Sequence, residues 1–541
     1  MDAQVAAKEA VDSLGSGALA SPALRVVCIL VLLAVFLGGA LYMDTPAYVL
    51  AVVGIVVAVG VWRPEYGLVV LALSYSYALP LIRTPIGWSA FVRPDDVAIT
   101  AVLVSWILVR RGRLRELLPE SPLTRPLLAW TALLAVSTAI GYVVHGETRA
   151  LVMGALGLVR TVEFTLVYLV VISTVKGLQQ ADRLLKALWV GALGVAGFSI
   201  FMWSIGACIP LEGWARAVAP NTSVLSENYC HHGVYMLLAV MLLQTMLLRE
   251  RGRSLKVLLA LSICLGAFSL ALSTSRTAYV GLAAASAVAA VLWSRVARPR
   301  VGVPVAIVPL GLVLGLVVLL PARKTVDIAV WWEGFRKQAP AVTVASAAPV
   351  APPSTPREGV KGLKPAHFKL EIARDQTVVA PRNRVAKTGA GRSSEVDFGR
   401  RLRTWNVTLT QLIHKPWRLV TGVGFMRFRF DDLGAEMSSG HNNFVQVIGE
   451  LGLPGLAILL WGAWSLMGYF VGVIRRPGDP GQVLLASGLL AACIGLGVTA
   501  IVQETFYPQP ALSSFGGYFL FVMGVGVSAL RARGGDLGLQ A

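Results

Sequence analysis

Long apolar blocks alternate with short polar stretches along almost the whole chain. The blocks are roughly 17 to 25 residues long, the length that a helix rising about 1.5 Å per residue needs to cross about 30 Å of hydrocarbon. The pattern therefore predicts an all-α polytopic membrane protein with about 12 to 14 transmembrane helices, since the second and third blocks are short and are open to being merged or re-entrant. The fourteen blocks lie near residues 24–43, 47–62, 67–82, 95–110, 127–145, 150–174, 183–206, 231–249, 254–272, 275–294, 302–320, 442–473, 482–502 and 512–530.

The short loops that are rich in Lys and Arg all fall on one side of the membrane if each block crosses it once. Because short basic loops stay in the cytoplasm, both termini are predicted to be cytoplasmic. The basic loops are 110–125, 176–186, 249–256, 295–300 and 474–478. The opposite side, periplasmic or cell-exterior, then holds the loops 83–94, 207–230, 273–274, 321–440 and 503–511. Lys8 and Arg25 precede the first block and no small-residue cleavage site follows it, which predicts a retained anchor rather than a signal peptide.

The chain is predicted to have four parts. Residues 1–23 are a cytoplasmic tail, 24–320 a bundle of about 11 helices, 321–440 a long periplasmic loop, and 441–541 a segment of about three helices with a short cytoplasmic tail. The centre of the loop, 339–362, is rich in Pro and Ala, which is typical of an extended insert.

The end of this loop has more regular features. Within 397–417, Leu402, Trp405, Leu409 and Leu412 recur at helical spacing, which predicts an amphipathic helix that ends at Pro416. Glycines at 422 and 424 then indicate a strand-like or tight-turn segment.

Composition agrees with a membrane protein and excludes several functions. The chain is 56% hydrophobic and 14% charged, with a mean hydropathy of +0.69. Its net charge of +19 is scattered over the loops instead of forming one basic face, so no nucleic-acid partner is predicted. Residues 321–440 carry 20 Lys and Arg against 10 Asp and Glu, which suits an anionic partner such as lipid head groups or an acidic glycan, or else simply keeps the loop soluble.

Cofactor motifs are missing from the sequence. It has no GxxxxGK[ST] phosphate loop, no GxSxG elbow and no HExxH, so neither ATP nor any other cofactor is predicted. No Cys and His spacing indicates a metal site. Cys28, Cys264 and Cys493 fall inside apolar blocks, whereas Cys208 and Cys230 share an outer loop, where a disulfide between them stays open.

Charged residues in or near the apolar blocks are candidates for function, because an unpaired charge in hydrocarbon is costly. Arg276, at the outer mouth of the tenth block, has two interpretations: an arginine that reaches the lipid head groups, or a guanidinium fork for phosphate oxygens. Arg160 and Glu163 lie inside a block at i,i+3 spacing, which favours a structural ion pair. Arg216 is the notable cation of the outer loop, while the adjacent His231 and His232 cannot share one helix face and so do not indicate a metal site.

His441 is the histidine best placed for chemistry. It is predicted to open a helix after Ser438, Ser439 and Gly440, all of which are plausible cap residues. The positive end of a helix disfavours imidazolium, so the ring is expected to accept a proton near neutral pH. From position alone, a capping or interfacial histidine is an equal alternative.

Three segments resemble the O-antigen ligase and O-antigen polymerase superfamily. The stretch "GHNNFVQVIGELGLPGLAILL" (440–460) resembles its signature, in which a His-Asn start leads through Glu-Leu-Gly into a transmembrane helix. The stretch "STSRTAYVGL" (273–282) is similar to its Ser-x-Ser-Arg segment at the outer mouth of a helix. The stretch "RTWNVTLTQLIHKPWRLVTGVGFMRF" (403–428) is similar to the segment with a Pro and Gly-Val-Gly that precedes the histidine.

The resemblance implies a metal-independent, inverting glycosyltransferase that acts on the periplasmic face of a bacterial inner membrane. Its donor would be a glycan on undecaprenyl diphosphate, and its acceptor another lipid-linked glycan or the lipid A core, with protein glycosylation as a third option. His441 would be the base for the acceptor hydroxyl, and Arg276 would bind the donor diphosphate, with Arg216 as a second ligand. Arg160, Glu163 and Asn442 are assigned supporting roles.

The long outer loop and the number of spans favour a polymerase over a ligase. A lipid-linked glycan flippase or polysaccharide exporter, which would also be basic and polytopic, is the alternative of a different class. Since two long side chains would meet one diphosphate sugar, Arg276 and His441 are expected to lie within about 10 Å of each other.

Overall fold

The computed structural model of the protein describes most of the predicted membrane-spanning part of the chain. The described residues are 54, 57–61, 63–75, 82–83, 91–92, 94–110, 118–145, 148–204, 209–211, 214–216, 229–273, 275–297, 302, 304–316, 393–427, 442–476, 479–501 and 515–534.

The described part is built from helices and two short hairpins. The helices are α1 (Pro64–Ser74), α2 (Pro94–Arg110), α3 (Thr124–His145), α4 (Thr148–Thr174), α5 (Leu178–Ser204), α6 (Tyr229–Arg249), α7 (Arg253–Leu272), α8 (Arg276–Ala297), α9 (Pro304–Leu316), α10 (Ser393–His414), α11 (Arg418–Thr421), α12 (Asn443–Arg475), α13 (Pro480–Ala500) and α14 (Phe515–Gly534). The antiparallel strand pairs are β1 (Ile82–Arg83) with β2 (Phe91–Val92), and β3 (Ile209–Leu211) with β4 (Trp214–Arg216).

Nine of the described helices, α3 to α8 and α12 to α14, are long and apolar enough to cross a membrane. This confirms the predicted all-α polytopic membrane fold. Their ends fall within a few residues of the predicted blocks, because the transfer of apolar side chains out of water sets both. The first two predicted blocks, 24–43 and 47–62, lie outside the described residues except for a few positions, so the total count stays a prediction.

The predicted block 67–82 is wrong at its C-terminal end. The helix there, α1, ends at Ser74 and has 11 residues, so its length of about 16 Å is too short to cross the hydrocarbon. Ile82 lies instead in β1, where it pairs with Val92. The backbone pairing of this hairpin, which apolarity alone does not indicate, replaces the helix there.

Helix α6 lies at the centre of the bundle. Its residues from His231 to Leu243 are all buried, and α7, α8 and α13 pack around it. Next to α6, helices α8 and α13 approach each other closely through glycines: a Cβ on Gly281 would lie 2.8 Å from the carbonyl oxygen of Gly495. Small residues that let backbones approach are the usual basis of helix packing in membranes.

Buried tryptophans connect helices by hydrogen bonds as well as by packing. The indole N–H of Trp106 donates to Ser173 Oγ at 3.0 Å, and that of Trp189 donates to Ser262 Oγ at 2.9 Å. The indole N–H of Trp293 donates to the carbonyl of Leu484. Each large apolar ring is therefore buried without leaving its polar atom unpaired.

The direction of α8 places two predicted site residues at one end of the bundle. Gly281 packs against Gly495 whereas Trp293 reaches Leu484, so α8 and α13 are antiparallel. Arg276 therefore lies at the end where α13 finishes. Helix α12 precedes α13 with four residues between them and packs against it, so the start of α12 at Asn443 lies at that same end.

The predicted amphipathic helix is present as α10, and it ends at His414, two residues before Pro416. Thr404, Thr408 and Leu412 are its buried face, whereas Leu402 and Leu409 are exposed. Only part of the predicted apolar face therefore packs against protein. Apolar residues on the side away from protein are a feature of a helix at a membrane surface.

We expect Gly495→Ala to destabilise the protein, because the new methyl group would lie 2.5 Å from the carbonyl oxygen of Gly281. Overpacking of this kind costs about 1 to 3 kcal/mol and lowers the thermal unfolding temperature in detergent. Gly497→Ala is the matched control on the same helix, since nothing lies within 4 Å of its added Cβ. Equal unfolding temperatures for the two variants would contradict the close α8–α13 contact.

Candidate functional site

The start of α12 is fixed by Asn442. Its backbone is extended (φ −156°, ψ 121°), and its side-chain oxygen accepts hydrogen bonds from the N–H groups of Phe444 at 2.8 Å and Val445 at 3.1 Å. The prediction that His441 opens this helix is therefore wrong: Asn442 is the cap, and His441 comes immediately before it. Asn ranks with Ser as a cap residue, so composition could not choose between them. His441 itself lies outside the described residues.

Helix α12 is interrupted about two and a half turns after its first residue. Gly452 has φ +67°, outside the helical range, and Pro454 follows it. Proline has no N–H, so the carbonyl of Glu450, four residues earlier, loses its helical donor. At the kink, the backbone carbonyls of Gly449 and Glu450 accept hydrogen bonds from outside the helix. Both residues are buried, so each carbonyl needs such a donor.

A short segment that follows α11 supplies these donors. This segment, Gly422 to Arg427, is called the glycine turn here. The N–H of Val423 donates to the carbonyl of Gly449 at 2.9 Å, and the N–H of Gly424 donates to the carbonyl of Glu450 at 3.1 Å. The glycine turn is therefore docked onto the kink of α12 by backbone hydrogen bonds.

Glycines are required on both sides of this contact. Gly422 has φ +66°, and a Cβ there would collide with the carbonyl of Glu450. A Cβ on Gly452 would lie 2.6 Å from the carbonyl oxygen of Leu419. Only glycine allows both the positive φ and the approach of two backbones.

The side chain of Glu450 completes the docking. It is 1% exposed, and its two oxygens accept hydrogen bonds from the N–H of Met426 at 2.6 Å and from the amide of Gln446 at 2.7 Å. In the sequence, Glu450 is part of the Glu-Leu-Gly signature, but neither it nor Gln446 was predicted to have a role. The available signal was a carboxylate within an apolar block, with an amide four residues before it on the same helix face.

The glycine turn also contacts α3 and α4. The N–H of Phe425 donates to Ser137 Oγ at 3.0 Å, and the guanidinium of Arg427 donates to the carbonyl of Gly141 at 3.3 Å. The ring of Phe425 packs so closely on α4 that a Cβ on Gly157 would lie 2.8 Å from it. The turn is thus held between three membrane helices, and the N-terminal part of α4 lies near the kink of α12.

Arg160 is buried on α4 and makes the predicted contact with Glu163, at 3.1 Å. It also forms an ion pair with Asp96 at the start of α2, and it stacks over the ring of Phe164 with its guanidinium carbon 5.5 Å from the ring centre. Asp95, next to Asp96, is fully buried. Sequence reasoning missed Asp95 and Asp96 because they lie at the edge of a different apolar block, far from Arg160 in sequence.

Arg276 is the first residue of α8, and it is exposed. An exposed guanidinium at the N-terminus of a 22-residue helix combines a positive side chain with the positive end of the helix dipole, which favours an anion such as phosphate. Ser275, just before it, is buried and packs against Gly233 of α6: a Cβ on Gly233 would lie 2.7 Å from Ser275 Cβ. The backbone that carries Arg276 is therefore fixed by close packing.

His232, near the start of α6, connects neighbouring helices. His232 Nε2 lies 2.9 Å from Ser269 Oγ and 3.3 Å from Ser199 Oγ, so this ring connects α6 with α7 and α5. In the part of the chain that the structure describes, no group of three or more His, Cys, Asp or Glu residues is arranged to hold a metal ion. His441 is outside that part, so metal independence stays a prediction.

Three other predictions depend on side chains outside the described residues. The backbone of Arg216 lies in β4, but its side chain is outside the described set, as are the side chains of Cys208 and Cys230. The role of Arg216, the disulfide and the separation between Arg276 and His441 therefore remain predictions. The structure does bring Arg160 and Glu163 together and places Arg276 and Asn442 at one end of the bundle.

Comparison with known proteins gives one family. Residues 257–460 match the family model described as O-antigen ligase, which confirms the resemblance seen in the sequence. The match covers less than half of the chain and runs from within α7 to within α12, so it includes Arg276, the glycine turn, Asn442 and Glu450. Arg160, Glu163 and Arg216 lie outside it. No curated protein sequence matches this chain significantly.

We expect Arg160→Met to destabilise the protein by about 1 to 3 kcal/mol, because it removes the buried cation that pairs with the half-buried carboxylates of Asp96 and Glu163. The thermal unfolding temperature in detergent measures this loss. Adding Asp96→Asn and Glu163→Gln to the same variant should restore most of the stability, since the two carboxylate charges that paired with Arg160 are then removed. If Arg160→Met unfolds at the normal temperature, the ion pair is not structural.

Proposed function

We propose that this protein is an inverting glycosyltransferase of surface-polysaccharide or lipopolysaccharide biosynthesis, because its residues 257–460 match the O-antigen ligase family model. It transfers a glycan from undecaprenyl diphosphate to a sugar hydroxyl at the periplasmic face of a bacterial inner membrane. One observation carries this proposal: the family match includes both the exposed Arg276 and the docked glycine turn. Helix α8, which begins with Arg276, and helix α12, which follows the glycine turn, start at the same end of the bundle. The orientation is supported by the basic loops predicted to be cytoplasmic.

The proposed reaction forms one glycosidic bond and breaks one bond to phosphate. His441 takes the proton from the acceptor hydroxyl, and the resulting oxygen attacks the anomeric carbon of the donor from the face opposite the diphosphate. The bond from that carbon to the diphosphate oxygen breaks, and undecaprenyl diphosphate leaves with the electron pair. Attack from the opposite face inverts the configuration at the anomeric carbon.

Arg276 has the charge and geometry for the diphosphate in this scheme. A guanidinium fork donates two parallel hydrogen bonds to phosphate oxygens, and the N-terminus of α8 adds its dipole. The negative charge on the bridging oxygen grows as the bond breaks, so a fixed cation there stabilises the transition state more than the ground state. Arg216 is the second proposed ligand of the diphosphate. The lipid diphosphate is already an activated leaving group, which is consistent with the lack of an ATP motif in the sequence.

The acceptor separates the two activities within the family. The proposal is tested with purified protein in liposomes that contain an undecaprenyl-diphosphate-linked glycan, with and without added lipid A core. A lengthened lipid-linked glycan identifies a polymerase, and glycan on the lipid A core identifies a ligase. Movement of the donor across the bilayer without a new glycosidic bond would show a flippase and contradict the proposal.

We expect His441→Ala to lower turnover by about 10²- to 10⁴-fold, the typical contribution of a positioned base. The unfolding temperature and membrane insertion should stay normal. His414→Ala is the matched control, because His414 is exposed at the end of α10. Turnover near the normal rate in His441→Ala would remove this histidine from the mechanism.

We expect Arg276→Met to weaken donor binding and turnover together, and Arg276→Lys to recover part of both, because lysine keeps the charge and loses the fork. Arg295→Met is the control: Arg295 is exposed in the last turn of the same helix, at the opposite end of the bundle. Kinetics with varied donor concentration measure the effect. Equal losses in the two arginine variants would show a general effect of surface charge instead of diphosphate binding.

A further inference from the structure

The chain on both sides of His441 is attached to the same two turns of α12. On one side, the N–H groups of Val423, Gly424 and Met426 bind the carbonyls and carboxylate near Glu450. On the other side, Asn442 caps the helix directly. The glycine turn and Asn442, which precede and follow His441 in the sequence, are therefore both attached to one helix.

A line of side chains and backbone groups joins the glycine turn to Asn442. The N–H of Gln446 donates to the carbonyl of Asn442 at 2.9 Å, and the Gln446 side-chain amide donates to Glu450 at 2.7 Å. Glu450 then accepts from the N–H of Met426. Asn442, Gln446 and Glu450 are spaced by four residues, so they lie on one face of the helix above one another.

We propose that Glu450 is a positioning residue for the transfer reaction. Its carboxylate holds the glycine turn at a fixed height relative to the cap of α12, and so fixes where the chain approaches His441. The proposal rests on the proposed role of His441 as the base. Displacement of a catalytic group by about 1 Å can cost about 100-fold in rate, so a change at Glu450 is expected to act on turnover without direct contact with substrate.

The hydrogen-bond pattern says which substitutions should preserve this role. Glu450 accepts at both oxygens, from a backbone N–H and from an amide. Gln at this position can accept from Met426 with its oxygen and donate with its nitrogen to the Gln446 oxygen, once the Gln446 amide turns over. Ala can do neither, and it leaves the N–H of Met426 without this acceptor.

The test compares Glu450→Ala with Glu450→Gln in the full-length protein, using the liposome transfer assay. We expect Glu450→Ala to lower kcat by about 100-fold with KM changed less than about twofold, which is the signature of an interaction needed in the transition state. Glu450→Gln should keep most of kcat and an unchanged pH profile. Gly311→Ala controls for lost stability: its new methyl group would lie 2.5 Å from the carbonyl oxygen of Cys264, so it should lower the unfolding temperature and leave kcat unchanged.

Amide hydrogen exchange of peptides covering 423–445 provides a readout that does not depend on transfer. It should rise in Glu450→Ala and stay normal in Glu450→Gln. If exchange rises but kcat is unchanged, Glu450 holds the turn without positioning the base, and the inference is overturned. If Glu450→Gln is as slow as Glu450→Ala, the charge itself is required, which also overturns it. Normal turnover in His441→Ala would instead refute the proposed mechanism and leave the exchange result standing.

Discussion

The structure around the candidate site depends on one missing hydrogen bond. Pro454 cannot donate to the carbonyl of Glu450, and a membrane helix cannot leave that carbonyl unpaired in a nonpolar surrounding. The N–H of Gly424 takes the vacant place. A loop that enters from outside the helix is thus bound where the helix itself is broken, and the positive φ angles of Gly422 and Gly452 allow the two backbones to meet.

The surrounding helices bury this contact. Ser137 of α3 and Gly157 of α4 close over Phe425, so the turn is covered by protein on the sides away from α12. Helix α13, which packs against α12, also packs against α8 through glycines, and α8 begins with Arg276 at the same end of the bundle. The proposed base and the proposed diphosphate ligand therefore come from two different parts of the family match.

The sequence was sufficient where a local pattern decides the structure. Apolar length predicted the long spans, and Pro416 predicted the end of α10 to within two residues. It was insufficient where two distant residues meet: Met426 with Glu450, or Arg160 with Asp96. It also failed where several residues have equal propensity, as with the capping of α12 by Asn442, and where the apolar face of a helix points away from protein, as at Leu402 and Leu409.

The close contact between Gly281 and Gly495 has a consequence for the energy of catalysis. No side chain separates the two backbones, so α8 cannot slide along α13 without a clash. The backbone that carries the exposed Arg276 at the start of α8 is then held at its height before any substrate arrives. In the proposed reaction, the entropy of bringing that charge to the leaving group would be lost once, during folding, and not again in each turnover.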